Sequence, residues 1–363
     1  MRRRYHTLAT TTSQCSGTSC ALGIAFVLLA PFPASPARAV TPGGAVSLYG
    51  TWEGPPACRT FVPAYIPLKK HFRVTWAGTC RNGKASGPGT LTVEASGRTE
   101  RYTGQLVAGM AEGEGTLALD TGAHYQGNFK QGLPSGHGVW TDPDGSTYDG
   151  MYRRGVREGH GVIVFSETSP HAGMRLEGEF SKNVFRGPGT LTLPNGIRYT
   201  GTFRDGKITG RGSMVHPNGN RLDGTFVNGL AEGEGTQTFA NGDQYQGEFH
   251  LGQPDGHGIY FRHDGTRFEG EYRHGLPDGQ FTITSKNGNH YQGGFRGGKR
   301  TGHGVQVLAD GERYDGEFRD DLPEGHGTLT KPGGSVYAGV WHRGCLAESS
   351  PPVGFGVAPE ECH

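Results

Sequence analysis

Apolar and polar residues alternate in short runs along most of this chain, and the runs return at a fixed spacing. In one run Tyr245 and Phe249 alternate with Gln246, Glu248 and His250. Successive side chains of a β-strand point to opposite faces, so this pattern predicts a strand with one aromatic and one polar face. The glycine between the two aromatics leaves room on the aromatic face for a neighbouring ring.

A second short run follows each aromatic run, after a glycine turn and a Gly-x-Gly motif. After Gly256 and Gly258 the chain continues with apolar and aromatic residues at 259–261, a composition typical of strands. The runs end at turns such as Asn241-Gly242, where glycine supplies the positive φ that tight hairpins need. Each unit is therefore predicted to be one β-hairpin.

The frame aromatic-x-Gly-x-aromatic recurs every 23 residues from Tyr102 onward, except between Tyr148 and Leu176, where the step is 28. A fixed period over many units is the signature of a repeat architecture. We predict an all-β fold, an elongated single twisted antiparallel sheet of tandem β-hairpins with irregular caps at both ends. The predicted core of the repeats consists of Trp76, Tyr102, Tyr125, Phe129, Tyr148, Tyr199, Phe203, Tyr245, Phe249, Phe268, Tyr291, Phe295, Tyr314, Phe318, Tyr337 and Trp341.

The composition favours a single thin sheet rather than a compact globular core. The chain has 65 Gly, 22 Pro and 33% apolar residues, which is too rich in glycine for an ordinary globular domain. Its 14 Tyr, 18 Phe and 4 Trp are too many for a disordered chain. A single sheet that buries rings along one face satisfies both observations.

The first 39 residues differ in kind from the repeats. Three arginines at 2–4 precede an apolar run at 21–30 and the sequence Ala37-Arg38-Ala39, which is typical of a secretory signal peptide cleaved before Val40. The apolar run is shorter than the roughly 20 residues that span a bilayer. An uncleaved anchor and an organelle transit peptide are the alternatives. Cleavage removes four arginines and no acid from 35 basic and 34 acidic residues, so the mature chain is mildly acidic.

The remaining regions are caps and one insertion. We predict an N-terminal cap at 40–75, an array of about 12 repeats at 76–344 whose last unit is incomplete, and a C-terminal cap at 345–363. Five extra residues at 166–173 lengthen one hairpin loop, which is a natural place for a partner contact.

The frame resembles the MORN (membrane occupation and recognition nexus) repeat, whose pattern Tyr-x-Gly-x-Phe, Gly, Gly-x-Gly is met at 125–138 and 245–258. The resemblance covers roughly three quarters of the chain. It departs at Leu176 and Leu222, which replace the leading aromatic, at Cys80, which replaces the second, and at Phe281, which replaces the last glycine. The family name implies membranes, and in some relatives the repeats are joined to a catalytic domain, for which this mature chain has no room.

Two sets of recurring residues are candidates for chemistry. Histidines occupy the middle of Gly-x-Gly at His137, His160, His257, His303 and His326, and acids precede it at Glu112, Glu158, Glu232, Asp255, Asp278 and Glu324. Successive hairpins are displaced by about 10 Å, whereas a metal needs nitrogens within about 2.1 Å and paired catalytic acids need roughly 5 to 9.5 Å. We therefore predict no catalytic, metal or cofactor site. A tolerated polar position explains the histidines, with a pH-responsive stripe as the alternative.

The resulting hypothesis is a non-enzymatic, exported scaffold in the periplasm or outside the cell, whose extended surface binds an unidentified protein or an envelope component. A peripheral phospholipid-binding protein is the alternative, although Lys and Arg are not clustered for an electrostatic membrane contact. A hydrolase of envelope polymer is a third hypothesis, without a visible acid and base pair. No basic stripe for nucleic acid is present.

The cysteines give a prediction that depends on both export and an extended array. Cys15 and Cys20 leave with the signal peptide, so Cys58, Cys80, Cys345 and Cys362 remain, and four cysteines allow three connectivities. Pairs between the two ends would join residues about 100 Å apart, beyond the roughly 7 Å limit for a disulfide. We predict the local pairs, Cys58 with Cys80 and Cys345 with Cys362. Four free thiols in a reducing compartment are the alternative.

Overall fold

The computed structural model describes residues 51–52, 58–60, 72–95 and 97–362. The predicted signal peptide, residues 1–39, and most of the predicted N-terminal cap lie outside the described residues. The chain divides into two compact units. Within the described residues we call 51–229 the N-terminal unit and 230–362 the C-terminal unit, and describe each by itself.

The N-terminal unit contains 14 of the described strands. They are β1 (Thr51–Trp52), β2 (Phe72–Arg81), β3 (Lys84–Ala95), β4 (Arg98–Val107), β5 (Met110–Ala118), β6 (His124–Lys130), β7 (Leu133–Thr141), β8 (Thr147–Arg153), β9 (Val156–Val164), β10 (Arg175–Ser181), β11 (Val184–Thr192), β12 (Arg198–Arg204), β13 (Lys207–Val215) and β14 (Arg221–Val227).

The C-terminal unit contains 11 described strands and one 3-10 helix at Pro359–Glu361. The strands are β15 (Leu230–Thr238), β16 (Gln244–His250), β17 (Gln253–Phe261), β18 (Arg267–Arg273), β19 (Leu276–Thr284), β20 (His290–Arg296), β21 (Lys299–Val307), β22 (Arg313–Arg319), β23 (Leu322–Thr330), β24 (Val336–His342) and β25 (Cys345–Leu346).

Within each unit, strands that follow one another in sequence pair antiparallel from β2 to β14 and from β15 to β25. Each hairpin joins a strand with the aromatic pair to a strand that carries the Gly-x-Gly motif. A register shift lies between the frame glycine and the second aromatic, for example between Gly247 and Phe249. The prediction of an all-β fold of tandem antiparallel hairpins is confirmed.

The tight turns at one edge of each unit place a residue in the left-handed region, such as Leu251 at φ 48° or Gln131 at 51°. The turns at the opposite edge follow the Asn-Gly and Asp-Gly signals. There the Asn or Asp side chain accepts a hydrogen bond from the backbone N–H two residues later, as Asn241 Oδ1 does from Asp243 N at 3.1 Å. The sequence signals for turns therefore mark both edges.

The five-residue insertion forms an anchored loop between β9 and β10. Phe165 N donates to Met174 O at 2.9 Å and closes the loop, so the hairpin keeps its usual end. Ser166 N donates to Ser146 Oγ at 3.1 Å, and Thr168 Oγ1 donates to Asp144 O at 2.8 Å. These bonds hold the loop against the preceding turn.

The chain continues past the last complete hairpin and covers its end. β25 pairs with β24, and residues 353–355 then return beside it, with Leu346 N donating to Val353 O at 3.0 Å and Phe355 N to Gly344 O at 2.8 Å. The Phe355 ring stacks on Tyr314 with centroids 5.3 Å apart and an interplanar angle of 18°. The segment thus packs on rings that no further hairpin covers. At the other end of the array, β1 pairs parallel with β2.

Candidate functional site

The aromatic side chains form a continuous ladder of edge-to-face contacts within each unit. Tyr125 contacts Phe129 of its own strand and Tyr152 of the next hairpin, both with centroids 5.1 Å apart. Tyr245 contacts Phe249 at 5.2 Å and Tyr272 at 5.1 Å in the same way. Such contacts add to the free energy of burying the rings.

Most of the rings predicted to form the core are buried. Phe268, Phe295 and Tyr337 are half-buried. The buried ones are Trp76, Tyr102, Tyr125, Phe129, Tyr148, Tyr199, Phe203, Tyr245, Phe249, Tyr291, Tyr314, Phe318 and Trp341. Burial raises the pKa of Tyr102, Tyr199 and Tyr291 to about 12, because the phenolate form loses its hydration.

Each leading tyrosine lies over two glycines, which explains why the frame requires them. A Cβ on Gly258 would lie 2.3 Å from Tyr245 Oη, and a Cβ on Gly138 would lie 2.2 Å from Tyr125 Oη. The hydroxyl also donates to the carbonyl three residues later, as Tyr245 does to Glu248 O at 3.0 Å. The ring therefore fills the space of the missing side chains and satisfies its own polar atom.

Two departures from the frame are accommodated by ring exchange. Phe281 is buried, and its ring lies where a Cβ on Gly270 would fall, 2.5 Å from Phe281 Cδ2. The leading ring of that hairpin, Phe268, is half-buried. Where Leu176 replaces the leading aromatic, Phe185 fills the corresponding space, with its Cζ 2.4 Å from a Cβ on Gly189.

The recurring acids are bound to the backbone of the following hairpin. Glu232 Oε2 accepts a hydrogen bond from Leu251 N at 3.0 Å, and the residue that donates lies in a tight turn. This backbone hydrogen bond, together with His250, holds the pKa of Glu232 below its usual range. The same bond joins Glu112 to Gln131, Glu158 to Lys182, Asp255 to His274, Asp278 to Gly297 and Glu324 to Arg343, at 2.9–3.2 Å.

These bonds give the acids a structural role. The turn N–H groups would otherwise need water, and each carboxylate satisfies one while tying its hairpin to the next. The recurrence was visible in the sequence, but the partner lies 19 or 24 residues away on a backbone atom. Sequence reasoning therefore identified the position and missed its function.

At the opposite edge of the C-terminal unit, Asp243 is the centre of a buried polar network. It accepts hydrogen bonds from Tyr260 Oη at 2.6 Å, His263 N at 2.8 Å and Asn241 Nδ2 at 2.9 Å, and its Oδ1 lies 2.8 Å from His263 Nδ1. Burial alone would raise its pKa, but these donors outweigh burial and hold the pKa well below the usual range. From the sequence, Asn241 was identified as a turn residue, but the network itself was not predicted.

The histidines of the Gly-x-Gly motifs lie on the polar face, and several pair with an acid of the adjacent strand. His137 Nε2 lies 2.7 Å from Asp149 Oδ1, and His303 Nε2 lies 3.0 Å from Asp315 Oδ1. His160 lies 3.6 Å from Glu179. All three imidazoles are more than half exposed. They form separate pairs, one to a hairpin.

The structure pairs the four described cysteines differently at the two ends. Cys345 and Cys362 form a disulfide, with Cα atoms 5.5 Å apart. Cys58 and Cys80 are free thiols, so the predicted bond between them is absent from the structure. Cys58 Sγ contacts Thr79 O at 4.0 Å. Burial, with the neighbouring Cys80, raises the pKa of Cys58 to about 11.

The predicted and recurring polar groups do not converge on a reaction centre. Among the described residues, no group of three or more His, Cys, Asp or Glu is arranged to hold a metal ion. In the same residues no helix is long and apolar enough to cross a membrane. The acids bind neighbouring backbone, and His137, His160 and His303 each lie beside an acid of the adjacent strand.

Several apolar side chains on the aromatic face of the N-terminal unit are only half-buried. We call this set the turn-side strip, and sequence analysis did not identify it. Trp140 lies opposite Tyr125 and Tyr148, and Phe165 lies two residues beyond Ile163 on the same face. The strip consists of Leu119, Trp140, Ile163, Phe165, Leu193 and Met214.

Taken together, the hairpins, ring ladder and edge bonds define a tandem β-hairpin repeat protein. The sequence profile of the MORN repeat matches ten segments between residues 102 and 336, which together make up more than half of the chain. The chain belongs to the MORN repeat family. The matched segments are 102–123, 125–147, 148–167, 177–198, 199–221, 223–244, 245–267, 268–290, 291–313 and 314–336.

Comparison with other proteins adds little to the family assignment. No curated protein matches the chain. Among solved structures, the CPAP G-box domain is 13% identical, covers 57% of this chain and 100% of its own, and has a TM-score of 0.30. The SAS-4 (dCPAP) TCP domain of Drosophila melanogaster, solved with a proline-rich motif of Ana2, is 18% identical, covers 42% and 83%, and has a TM-score of 0.27.

A third structure, virginiamycin B lyase from Staphylococcus aureus, is 11% identical, covers 67% of this chain and 74% of its own, and has a TM-score of 0.13. TM-scores this low establish neither a shared fold nor a shared function for any of the three proteins.

Proposed function

We propose that this protein is a non-enzymatic, exported scaffold that binds another protein through a face of its repeat array. Its family is one of repeat scaffolds, which are associated with protein or membrane binding. Solenoid-like arrays present long surfaces because each repeat contacts only its neighbours.

The proposal rests on one observation, which is that the recurring polar groups bind within the array itself. The frame acids bind the next hairpin's backbone, and the tyrosine hydroxyls bind their own strand. Catalysis requires an acid, base or nucleophile aimed at a common point, and these groups are directed along the array instead. The side chains that vary between repeats at half-exposed positions are the ones left for recognition.

A protein partner is favoured over phospholipid by the arrangement of the arginines on the polar face. Arg221 binds Asp223 at 2.6 Å, and Arg313 binds Asp315 at 2.6 Å. An arginine paired with a carboxylate attracts an anionic membrane weakly, because the membrane meets a nearly neutral pair. Export is supported by the leader pattern of residues 1–39 and by the Cys345 to Cys362 disulfide.

The proposal is tested by crosslinking the full-length protein in its native compartment and identifying the adducts by mass spectrometry. We expect a mature N-terminus at Val40 and crosslinks from the array to a specific protein. Flotation with vesicles of phosphatidylserine and phosphatidylcholine at low salt provides the comparison. Flotation with the vesicles and no protein adduct would refute a protein-binding scaffold, and an intact N-terminus would refute cleavage on export.

A further inference from the structure

We propose that the outer edge of β24, in the C-terminal unit, binds a short, uncharged segment of a partner protein as an added β-strand. We call the part of this edge from Val336 to Gly339 the open edge. The inference rests on the proposed scaffold function, and it names the mode of binding and the chemistry of the partner segment.

The open edge lacks a neighbouring strand among the described residues. On one side, β24 pairs with β23 from Val336 to Trp341. On the other side it pairs with β25 at Trp341 and His342 alone. The other strands of the C-terminal unit that carry a leading ring, β16, β18, β20 and β22, are each paired on both sides. β24 therefore differs from them in having most of one side uncovered.

The backbone groups of the open edge point outward. Val340 O accepts a hydrogen bond from Ala347 N at 2.8 Å, so the backbone groups of Val340 face away from β23. Successive residues of a strand direct their backbone groups to opposite edges, so those of Ala338 and Val336 face outward as well. Within the described part of the chain, neither residue has a backbone partner on that side. The open edge thus offers their N–H and C=O groups to an added strand.

The side chains of β24 are apolar where other strands are charged. On the polar face β24 carries Val336, Ala338 and Val340, of which Val336 is 61% exposed and Val340 38%. The side chains at the equivalent positions of β18 and β22 are all charged: Arg267, Glu269, Glu271, Arg313, Asp315 and Glu317. Charged side chains and proline normally protect an edge strand from pairing, and the open edge carries neither. Its chemistry therefore favours pairing with an uncharged strand.

The leading ring of β24 is less covered than the rings of strands that are paired on both sides. In β22, Tyr314 has Gln306 of β21 opposite it on one side and Leu329 of β23 on the other, and it is buried. Tyr337 of β24 has Leu329 opposite it on one side and is half-buried. An added strand places a residue on the outer side of Tyr337 and removes more of the ring from water. This burial adds to the free energy of backbone pairing.

A short linear segment fits the open edge better than a second copy of the chain. The open edge from Val336 to Gly339 is about 13 Å long. Pairing of two such edges buries much less than the roughly 1,200 Å² that stable protein interfaces need. Linear segments bind by strand addition through a few residues, because main-chain hydrogen bonds supply affinity and alternate side chains supply specificity. A charged side chain beside Val336 or Ala338 would lose hydration without gaining a partner, so the segment is expected to be uncharged there.

The test uses a fluorescein-labelled peptide of sequence Ser-Gly-Val-Thr-Val-Thr-Val-Gly-Ser, whose β-branched residues favour an extended strand. Binding to the full-length protein is followed by fluorescence anisotropy, and saturable binding is expected. The same peptide with its central backbone nitrogens methylated cannot donate hydrogen bonds to the edge and should not bind. A peptide with Glu in place of each Val should bind at least about tenfold more weakly.

Ala338→Pro tests the backbone pairing without disturbing the array. The N–H of Ala338 faces outward, and proline is tolerated at such positions of edge strands. We expect a thermal unfolding midpoint close to that of the wild type and at least about tenfold weaker binding of the valine peptide, because an outward donor is lost.

Val336→Lys tests the side chains of the open edge. Arg313 occupies the equivalent position of β22, so the frame tolerates a cation there. We expect a stable protein that binds the valine peptide at least about threefold more weakly, because the peptide then covers a charge. Val227→Lys, at an exposed valine of the N-terminal unit, is the matched control and should bind normally.

Absence of saturable binding, equal binding of the methylated peptide, or wild-type binding by Ala338→Pro would overturn strand addition at this edge. Equal binding of the Glu peptide would overturn the assignment of an uncharged segment. Dimers of the free protein in analytical ultracentrifugation that Ala338→Pro dissociates would assign the edge to a second copy instead. Each of these results leaves the scaffold proposal standing if native crosslinks still reach a protein partner.

Discussion

The two units use the same frame and differ in what they display at half-exposed positions. In both, leading rings such as Tyr148 and Tyr245 are buried to about the same extent, 1% exposed. On the turn-side strip the N-terminal unit carries Trp140 and Phe165, where the C-terminal unit carries Gln237 and Arg262. The frame therefore tolerates either chemistry at these positions, which are not needed to hold the repeats together.

The difference separates residues that build the array from residues that distinguish its surfaces. A position that must be filled by a ring in both units has a packing role. A position that is tryptophan in one unit and glutamine in the other is not required by the frame. The following predictions test this separation.

The largest effect is expected from the frame rings, and it should be similar in both units. Tyr148→Ala and Tyr245→Ala each remove a buried ring from the ladder. Each substitution is expected to lower the free energy of unfolding by about 3 to 5 kcal/mol. Urea unfolding followed by circular dichroism measures the change. Gln246→Ala, on the polar face beside Tyr245, should be nearly neutral. A much smaller cost in one unit would show that the ladder is not equally important in both.

The buried carboxylate of the C-terminal unit should stabilise the fold at neutral pH. Asp243→Asn replaces one acceptor oxygen by an NH₂ group, which then faces hydrogen-bond donors. The substitution is expected to lower the free energy of unfolding by about 2 kcal/mol at pH 7. Because hydrogen bonds hold the pKa of Asp243 below its unfolded value, this contribution is present above about pH 4 and declines as the pH falls through the folded pKa. The variant and the wild type should therefore converge in acid. A constant difference down to the lowest accessible pH would contradict the assignment.

In the N-terminal unit, by contrast, ionisation of Glu100 should destabilise the fold. Its Oε2 is buried without a hydrogen-bond partner among the described residues. Burial, reinforced by Asp120, raises its pKa to about 6. The pKa of Glu100 is higher in the folded state than in the unfolded state. Its contribution to stability is therefore present below the unfolded pKa of about 4.3 and is lost as the pH rises through the folded pKa of about 6.

Glu100→Gln should consequently stabilise the protein by about 1 kcal/mol at pH 8 after allowance for solvent screening, and have little effect at pH 4. Thermal unfolding of both proteins at these two pH values measures the effect. A stabilisation that is independent of pH would show that ionisation of Glu100 is not its cause.

The sequence predicted the hairpins and most of the ring ladder because a period of 23 residues and strict alternation report local geometry. It missed features that depend on contacts between repeats. Phe281 takes the place of a leading ring across the hairpin. The network around Asp243 joins one strand and two turns, through residues that are 2 to 20 positions apart. Cys58 and Cys80, predicted to form a disulfide, are free thiols in the structure.

The half-exposure of the turn-side strip was also beyond sequence reasoning alone. Trp140 and Phe165 are visible as apolar residues, but their partial exposure follows from the rings already filling the face beneath them. Comparing the residues at one register position across both units is a signal that would have drawn attention to them.

The separation of frame from surface is tested most directly by moving the surface of one unit onto the other. A triple variant, Trp140→Gln, Phe165→Arg and Leu193→Ser, gives the N-terminal unit the residues found four repeats later. We predict a thermal unfolding midpoint close to that of the wild type. A midpoint lowered as far as that of Tyr148→Ala would contradict the account.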